Sequence, residues 1–360
     1  MLNNIFSHKF NTLVRTVAVV SIGFATTWGV AMDSAKAVGF TVDSVTLGSL
    51  TDGSDSTVNG VTYLNQSLPI TGLSANSTNW TPDIFASPVI TLRRGGYAAT
   101  DNFGNFNNRQ IAWGERLPGD PDSIVRIPQP TNTQAVLSQN NILQGSDNVF
   151  VNTGYINGIQ TDIERVDFVF NTEVETSDKQ AITIFDRGLN TAHDSFQIAP
   201  ILSVDSAGNP TIYGSLISIA AGWGQTNLRP GGAADNNVNS TVLTDSTGAF
   251  GNVLSVTQQV GGLLIPLSEL ATTGSKIYGY SLFSPDVNDG GNPINLLDWT
   301  NASVFPQDTP NSVGGIDLVA TNLGVVKAVP EPSFVAGVLL FSTFVIAGKL
   351  KNRGHKNSNA

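Results

Sequence analysis

Side chains that could carry acid–base or nucleophilic chemistry are sparse between residues 38 and 332. His193 is the only histidine there, and it stands beside Asp194 and Ser195. Three sequence neighbours do not define a catalytic triad, and the chain has no Gly-x-Ser-x-Gly motif. A glycosidase needs only two carboxylates, for which the candidates are Glu115, Glu164, Glu173, Glu175 and Glu269. Because any acidic protein offers such pairs, we predict that the protein is not an enzyme, and a glycan-active enzyme is the third alternative.

A cation site is the second kind of chemistry that the spacing indicates. Asp286, Asn288 and Asp289 supply oxygen ligands just before a Gly-Gly pair, as calcium loops do. The segment departs from the EF-hand pattern, because its fifth position is glycine and its twelfth is Leu297, where a bidentate Glu is required. A calcium site outside the EF-hand class and a set of ordinary turns both fit. No other cofactor is predicted.

Tryptophans in polar surroundings indicate sugar binding, because an exposed aromatic face is a stacking surface. The strongest candidates for glycan contact are Trp113, in Ile111-Ala112-Trp113-Gly114, and Trp223, in Gly222-Trp223-Gly224. Trp80, Trp299 and Tyr97 share this polar setting. Loop tryptophans also fill the cores of β-proteins, so both interpretations stay open.

Short runs rich in Val, Ile, Phe, Tyr and Thr predict an all-β fold. These runs are Phe40–Leu47, Pro88–Leu92, Ile163–Phe170, Ala181–Phe185, Ser195–Val204, Pro210–Ala220, Asn252–Val260, Lys276–Phe283 and Gly315–Ala320. Ala207-Gly208-Asn209-Pro210 predicts a hairpin turn, and Leu263–Ala271 and Pro293–Trp299 could each form a short helix. We expect a sandwich or jelly-roll-like ectodomain over residues 38–328. Its Asn- and Gly-rich stretch at about 97–158 is either an insertion, which we favour, or a boundary between subdomains.

The N-terminus has the order of a secretory signal peptide. Lys9 and Arg15 precede an apolar region from Val17 to Met32, and Ala35-Lys36-Ala37 is an Ala-x-Ala cleavage signature. Cleavage by a signal peptidase after Ala37 would leave Val38 as the first residue, and an uncleaved N-terminal anchor is the alternative. On either interpretation the residues that follow are exported. The chain has no cysteine, which excludes disulfides and thiolate metal sites.

The C-terminus carries three parts in a fixed order. Pro330-Glu331-Pro332 is a stiff tripeptide, because each proline fixes its own φ and keeps the residue before it extended. The sixteen uncharged residues 333–348 would span about 24 Å as a helix, less than the ~30 Å hydrocarbon core. Lys349, Lys351 and Arg353 then form a stop-transfer cluster that stays cytoplasmic. Residues 329–356 therefore predict a single, marginal transmembrane helix behind a proline-rich handle.

Pro330-Glu331-Pro332, the apolar run and the basic end together resemble the sorting signal of the PEP-CTERM proteins of Gram-negative bacteria. The resemblance implies a precursor anchored in the inner membrane. It also implies that an exosortase, an integral membrane enzyme, recognises the tripeptide and removes the segment behind it. The expected destination is the cell surface or the extracellular space.

A second resemblance lies in the middle of the chain. Residues 182–188 (ITIFDRG) and 193–198 (HDSFQI) are similar to a pattern in exosortase-dependent surface proteins, notably those of cyanobacteria. Residues 314–320 (GGIDLVA) are similar to the closing strand of those proteins. This resemblance implies an all-β surface domain without an assigned activity.

Charge narrows the range of partners. Residues 38–332 contain 11 Lys and Arg against 27 Asp and Glu, a net charge near −16. Such a domain repels phosphate backbones, so nucleic acid is not an expected partner. We expect a structural or adhesive protein of the cell surface or extracellular matrix. The alternative is a carbohydrate-binding module that acts on exopolysaccharide.

Overall fold

The computed structural model describes residues 38–49, 51–52, 54–58, 61–63, 66–67, 70–83, 88–94, 111–115, 124–125, 142–143, 146–147, 163–188, 195–227, 237–244, 250–257, 259–306 and 324–330. Strands predominate in these ranges, where helix is confined to the single turn Leu267–Leu270 (α1) and the 3-10 helix Pro293–Leu297. The predicted all-β class is therefore confirmed.

Six strands form a closed, antiparallel barrel. In order around the barrel they are β1 (Phe40–Leu47), β20 (Gln259–Pro266), β14 (Gln180–Gly188), β22 (Val325–Ala328), β7 (Thr78–Asp83) and β6 (Ile70–Ala75). β6 pairs with β1 and completes the ring. The predicted sandwich has two open sheets, whereas this layer closes because the late strand β22 enters between β14 and β7. Closure leaves the barrel without a free edge.

An open antiparallel sheet forms the second layer. Its order is β16 (Pro210–Tyr213), β15 (Phe196–Val204), β21 (Lys276–Phe283), β13 (Ile163–Glu175) and β8 (Pro88–Arg94), and β17 (Ile217–Ile219) also pairs with β15. The predicted hairpin at Ala207-Gly208-Asn209-Pro210 is confirmed, since it joins β15 to β16. β1 and β21 have the predicted bounds. The expected helix at Leu263–Ala271 was largely wrong, because β20 continues to Pro266 before α1 begins.

The remaining strands form small sheets. They are β19 (Phe250–Thr257), β18 (Asn237–Thr244) and β9 (Ile111–Glu115); β10 (Ile124–Val125), β4 (Val61–Tyr63) and β3 (Ser56–Val58); β11 (Ile142–Leu143) and β12 (Ser146–Asp147); and β2 (Thr51–Asp52) and β5 (Gln66–Ser67). Within the predicted insertion at about 97–158, the structure describes only β9 to β12.

Strand β14 shows how one sequence serves two cores. Ala181 and Phe185 face the barrel interior with residues such as Val42, whereas Ile182 and Ile184 join the cluster between barrel and sheet. Successive side chains of a strand point to opposite faces, and both faces of β14 are buried. The barrel interior and the space between the layers are therefore two apolar cores that share β14.

The outer face of the sheet is buried under a segment that follows β21. We call residues 284–306 the cover segment. Its buried residues Val287, Leu296, Val304 and Phe305 pack in one cluster with the sheet residue Phe283. Around Phe283 the sheet is thus covered on both faces, and the polar residues Asp167 and Ser281 are removed from solvent there.

Candidate functional site

Strand β22 fixes the point at which the predicted sorting motif leaves the fold. Its two valines are fully buried, Val325 between the layers and Val326 in the barrel. The Val329 N–H donates to the Asn79 carbonyl at 2.8 Å. Pro330 follows directly, is exposed, and has no N–H with which to extend the strand. A residue hydrogen-bonded to the barrel, Val329, therefore stands one position before the motif.

The other processing residues lie outside the described part of the chain. They are Glu331 and Pro332 of the motif, Lys349, Lys351 and Arg353 of the stop-transfer cluster, and Ala35 and Ala37 of the signal-peptide cleavage site. The predicted membrane segment 334–347 also lies outside it. Of the helices in the ranges given above, none has the length and apolarity to cross a membrane. These assignments stay predictions.

A buried polar cluster lies under the cover segment. Arg165 on β13 donates from Nε to Asp167 Oδ1 at 2.7 Å and from Nη2 to Oδ2 at 3.1 Å. Arg93 on β8 donates from Nε to Asp167 Oδ2 at 2.9 Å. Tyr213 donates to Asp167 Oδ1 at 3.1 Å, and Ser281 does so at 2.7 Å. Asp167 thus accepts five hydrogen bonds.

This cluster attaches the cover segment to the sheet. Arg165 Nη1 donates to the Leu296 carbonyl at 2.6 Å. The Trp299 ring lies 5.0 Å from each of the guanidinium carbons of Arg93 and Arg165, which is within cation–π range. The two arginines therefore connect the Asp167 carboxylate of the sheet to the Leu296 carbonyl and the Trp299 indole of the cover segment.

The cluster is suited to a structural role, because it holds the cover segment on the sheet. We call Arg93, Arg165, Asp167, Tyr213 and Ser281 the clasp. The oxygens of Asp167 are engaged by donors, so this carboxylate is not poised as a base. Burial, followed by the charge of Asp167, raises the pKa of Tyr213 above its usual range and keeps the phenol protonated. Sequence reasoning missed this cluster, although Arg165 and Asp167 are opposite charges two positions apart on one strand face.

Gln197, in the second resemblance, is a further anchor for the cover segment. Its Nε2 lies within hydrogen-bond distance of the carbonyls of Ser284 (3.2 Å), Pro285 (3.1 Å) and Val287 (2.6 Å). Its Oε1 accepts from Ser218 Oγ at 3.1 Å. A glutamine there supplies both the donor and the acceptor that the site needs.

The predicted calcium residues lie in the cover segment, where each meets a different partner. Asp286 Oδ1 accepts from Ser284 Oγ. Asn288 Oδ1 accepts from the Gly290 N–H at 3.0 Å, and Asp289 Oδ1 from the Gly291 N–H at 2.9 Å. These contacts are turn-forming hydrogen bonds. Across the described ranges there is no group of three or more His, Cys, Asp or Glu arranged to hold a metal. Calcium binding here stays a prediction.

The tryptophans that the sequence offers for glycan contact lie in different environments. Trp223 is 7% exposed and meets Phe196 edge-on at 6.0 Å in the core between the layers, so it is placed as a core residue. Trp113 lies on β9, opposite Val242 of β18, and its side chain is outside the described part. Trp299 is half-buried on the cover segment and keeps part of its surface at solvent.

The structure describes only some of the candidates for acid–base chemistry. His193 and Asp194 lie outside the described ranges, and of Glu115 only the backbone is described. Glu164 is 7% exposed. Glu173 is hydrogen-bonded to Lys276, which is the main cause that lowers the pKa of this carboxyl.

The fold and the site define an all-β protein in which Pro330 is exposed directly after β22, the last strand of the described ranges. Comparison with protein-family models gives no match, and comparison with curated proteins gives none.

Proposed function

We propose that the chain is an exported cell-surface or extracellular-matrix protein with a structural or adhesive role, sorted and C-terminally processed by an exosortase. In this proposal a sandwich-like ectodomain is flanked by a signal peptide and a single sorting helix. The observation that carries the proposal is the placement of Pro330. It is exposed immediately after a strand that closes the barrel, ahead of the apolar stub and the basic tail.

The N-terminal end of the fold supports the same proposal. Val38, the first residue after the predicted cleavage site, packs against the core between the layers. Gly39 has φ +84°, and a Cβ there would lie 2.8 Å from the Leu264 carbonyl. The first residues of the proposed mature chain are therefore part of the fold, which is consistent with a leader that ends at Ala37.

Mass spectrometry of both ends of the mature protein tests this proposal. From the native host we expect Val38 as the first residue and no residues beyond Phe334. A variant with Pro330, Glu331 and Pro332 replaced by alanine should keep the tail, whereas Val329→Ala, which leaves the tripeptide intact, should be processed normally. Loss of the processing enzyme should reproduce the tripeptide variant. Wild-type protein that retains the apolar stub would contradict the proposal.

A carbohydrate-binding role is the second candidate, and the position of Trp299 favours it. This half-exposed indole lies beside Arg93, whose Nη2 donates to Asn209 Oδ1 at 2.7 Å. An aromatic ring bordered by guanidinium and amide groups suits exopolysaccharide. Glycan-array binding lost in Trp299→Ala or Trp113→Ala, but kept in a folded Trp223→Phe control, would favour this role. Turnover of a glycan that is lost on replacing one Glu would favour the glycan-active enzyme instead.

A further inference from the structure

One end of the barrel holds the first and the last residues that the structure describes, Val38 and Pro330. Near the start of β1, Val42 pairs with Ala75, the last residue of β6. The turn Asn76-Ser77 follows, and the next strand, β7, pairs its Trp80 with Ala328 at the end of β22. The entry of β1 and the exit of β22 therefore lie on either side of the same hairpin turn.

Two other segments complete this end. Lys327 pairs with Gln180, so the preceding turn Asp178-Lys179 lies beside the exit. The Ser268 N–H in α1, which follows β20, donates to the Ser177 carbonyl at 3.2 Å. We call the resulting ring the exit rim, formed by Val38-Gly39, Asn76-Ser77, Asp178-Lys179, Leu267-Ser268 and Val329-Pro330.

Only a short segment of the chain connects this rim to the predicted membrane segment. Among the described residues, which end at Pro330, Val329 is the last one hydrogen-bonded to the barrel, and the apolar run begins at Phe334. Fully extended, those five residue steps reach at most about 17 Å. The headgroup zone takes up roughly 5–7 Å of that reach on each side of the bilayer. The rim would therefore lie within about 12 Å of the headgroups.

The charges near the rim suit that position. Residues 38–332 contain only three lysines, Lys179, Lys276 and Lys327, and they all lie at this end. The neighbouring acids are Asp43, Glu173, Glu175, Asp178 and Glu269, and Glu331 follows Pro330 in the sequence. Three lysines against six acids give this end a net charge near −3, whereas the ectodomain as a whole is near −16. Anionic headgroups repel an acidic surface, so the end that holds all three lysines is the one that approaches them at least cost.

From this geometry we infer that the exit rim is the face with which the uncut protein docks on the lipid headgroups. The opposite end of the barrel points away from the membrane. The inference rests on the proposed function, because it needs residues 334–347 to lie in the bilayer. It deepens that proposal by assigning one face of the ectodomain to one partner, the anionic lipid surface.

The absence of cysteine allows a direct test on the full-length chain. Single cysteines at Asp178, in the exit rim, and at Thr71, toward the other end of the same barrel, would each carry a fluorophore. Thr71 is exposed and five residues from the hairpin turn, about 13 Å along the barrel axis after strand tilt. The two proteins would be reconstituted in phosphatidylcholine–phosphatidylglycerol vesicles that contain a lipid with a nitroxide headgroup.

We expect the label at Asp178→Cys to be quenched at least about threefold more strongly than the label at Thr71→Cys. A ten-residue Gly-Ser insertion between Val329 and Pro330 should bring the two values together, because it adds about 33 Å of reach. Equal quenching without the insertion, or stronger quenching at Thr71→Cys, would overturn the inference. If the chain does not float with the vesicles at all, the proposed membrane segment fails instead.

Discussion

Arg165 and Asp167 stand two positions apart on one strand and form a bidentate ion pair in the interior, with Nε to Oδ1 at 2.7 Å and Nη2 to Oδ2 at 3.1 Å. Both residues are at most 1% exposed. Two charges leave water at considerable cost and are tolerated only when their hydrogen-bonding capacity is used. Arg93, Tyr213 and Ser281 complete the set of donors to the carboxylate. The pair therefore joins the sheet to its cover segment.

Removal of the carboxylate should destabilise the protein strongly. Asp167→Ala leaves the buried Arg165 without its counter-charge, and we expect a loss of about 3–5 kcal/mol in the free energy of unfolding. Asp178→Ala is the matched control, because its ion pair with Lys179 is exposed, and its midpoint should not move measurably. Urea denaturation measures both. Equal midpoints for the two variants would contradict the clasp.

Two tyrosines should respond in opposite directions to loss of the hydroxyl. Tyr280 is buried, stacks on Phe168 at 4.8 Å, and its hydroxyl has no hydrogen-bond partner among the described residues. Tyr280→Phe should therefore be neutral or stabilising by up to about 1 kcal/mol. Tyr213→Phe removes the hydrogen bond to Asp167 and should cost about 1–2 kcal/mol. Thermal unfolding of both variants is the measurement, and destabilisation by Tyr280→Phe would show that its hydroxyl has a partner.

Gly279 should not tolerate a side chain. Its φ is +148°, and a Cβ there would lie 1.9 Å from the Phe168 carbonyl oxygen on the adjacent strand. Gly279→Ala should therefore prevent folding or separate β13 from β21, with a loss of the cooperative unfolding transition. Gly274→Ala, at φ +84° with no atom within 4 Å, should cost only about 1 kcal/mol. Circular dichroism shows whether each variant folds. A well-folded Gly279→Ala would contradict the register of β13 with β21.

Asp205 gives a pH dependence with a definite sign. Hydrogen bonds from the side chain and then the backbone of Asn209 lower the pKa of this carboxyl below its usual 3.8. A depressed pKa contributes stability that is present above the unfolded value and is lost as pH falls through the folded value. An NMR titration should place the midpoint below 3.8. Asn209→Ala should raise this midpoint, and an unchanged midpoint would exclude the turn as its cause.

Several strands could be predicted from the sequence because their information is local. Phe40–Leu47 and Lys276–Phe283 have the predicted bounds, since a β-branched or aromatic run that ends at turn residues specifies a strand by itself. The β15–β16 turn followed from four consecutive residues. The order of the proline tripeptide and the apolar run is also visible in the sequence alone. The processing and the membrane segment that this order indicates stay predictions.

What only the tertiary structure decided depends on partners far apart in the chain. The segment Val325–Ala328 is too short to be recognised as a strand from the sequence, yet it closes the barrel between β14 and β7. Alternation along a one-sided sheet would place Asp167 at the solvent face. The cover segment, which lies more than a hundred residues later in the chain, buries Asp167 together with Arg165. The sequence left open whether Trp223 contacts a glycan or fills the core, and the structure packs it in the core. Local sequence sets which residues are extended, whereas burial of a face depends on what packs against it.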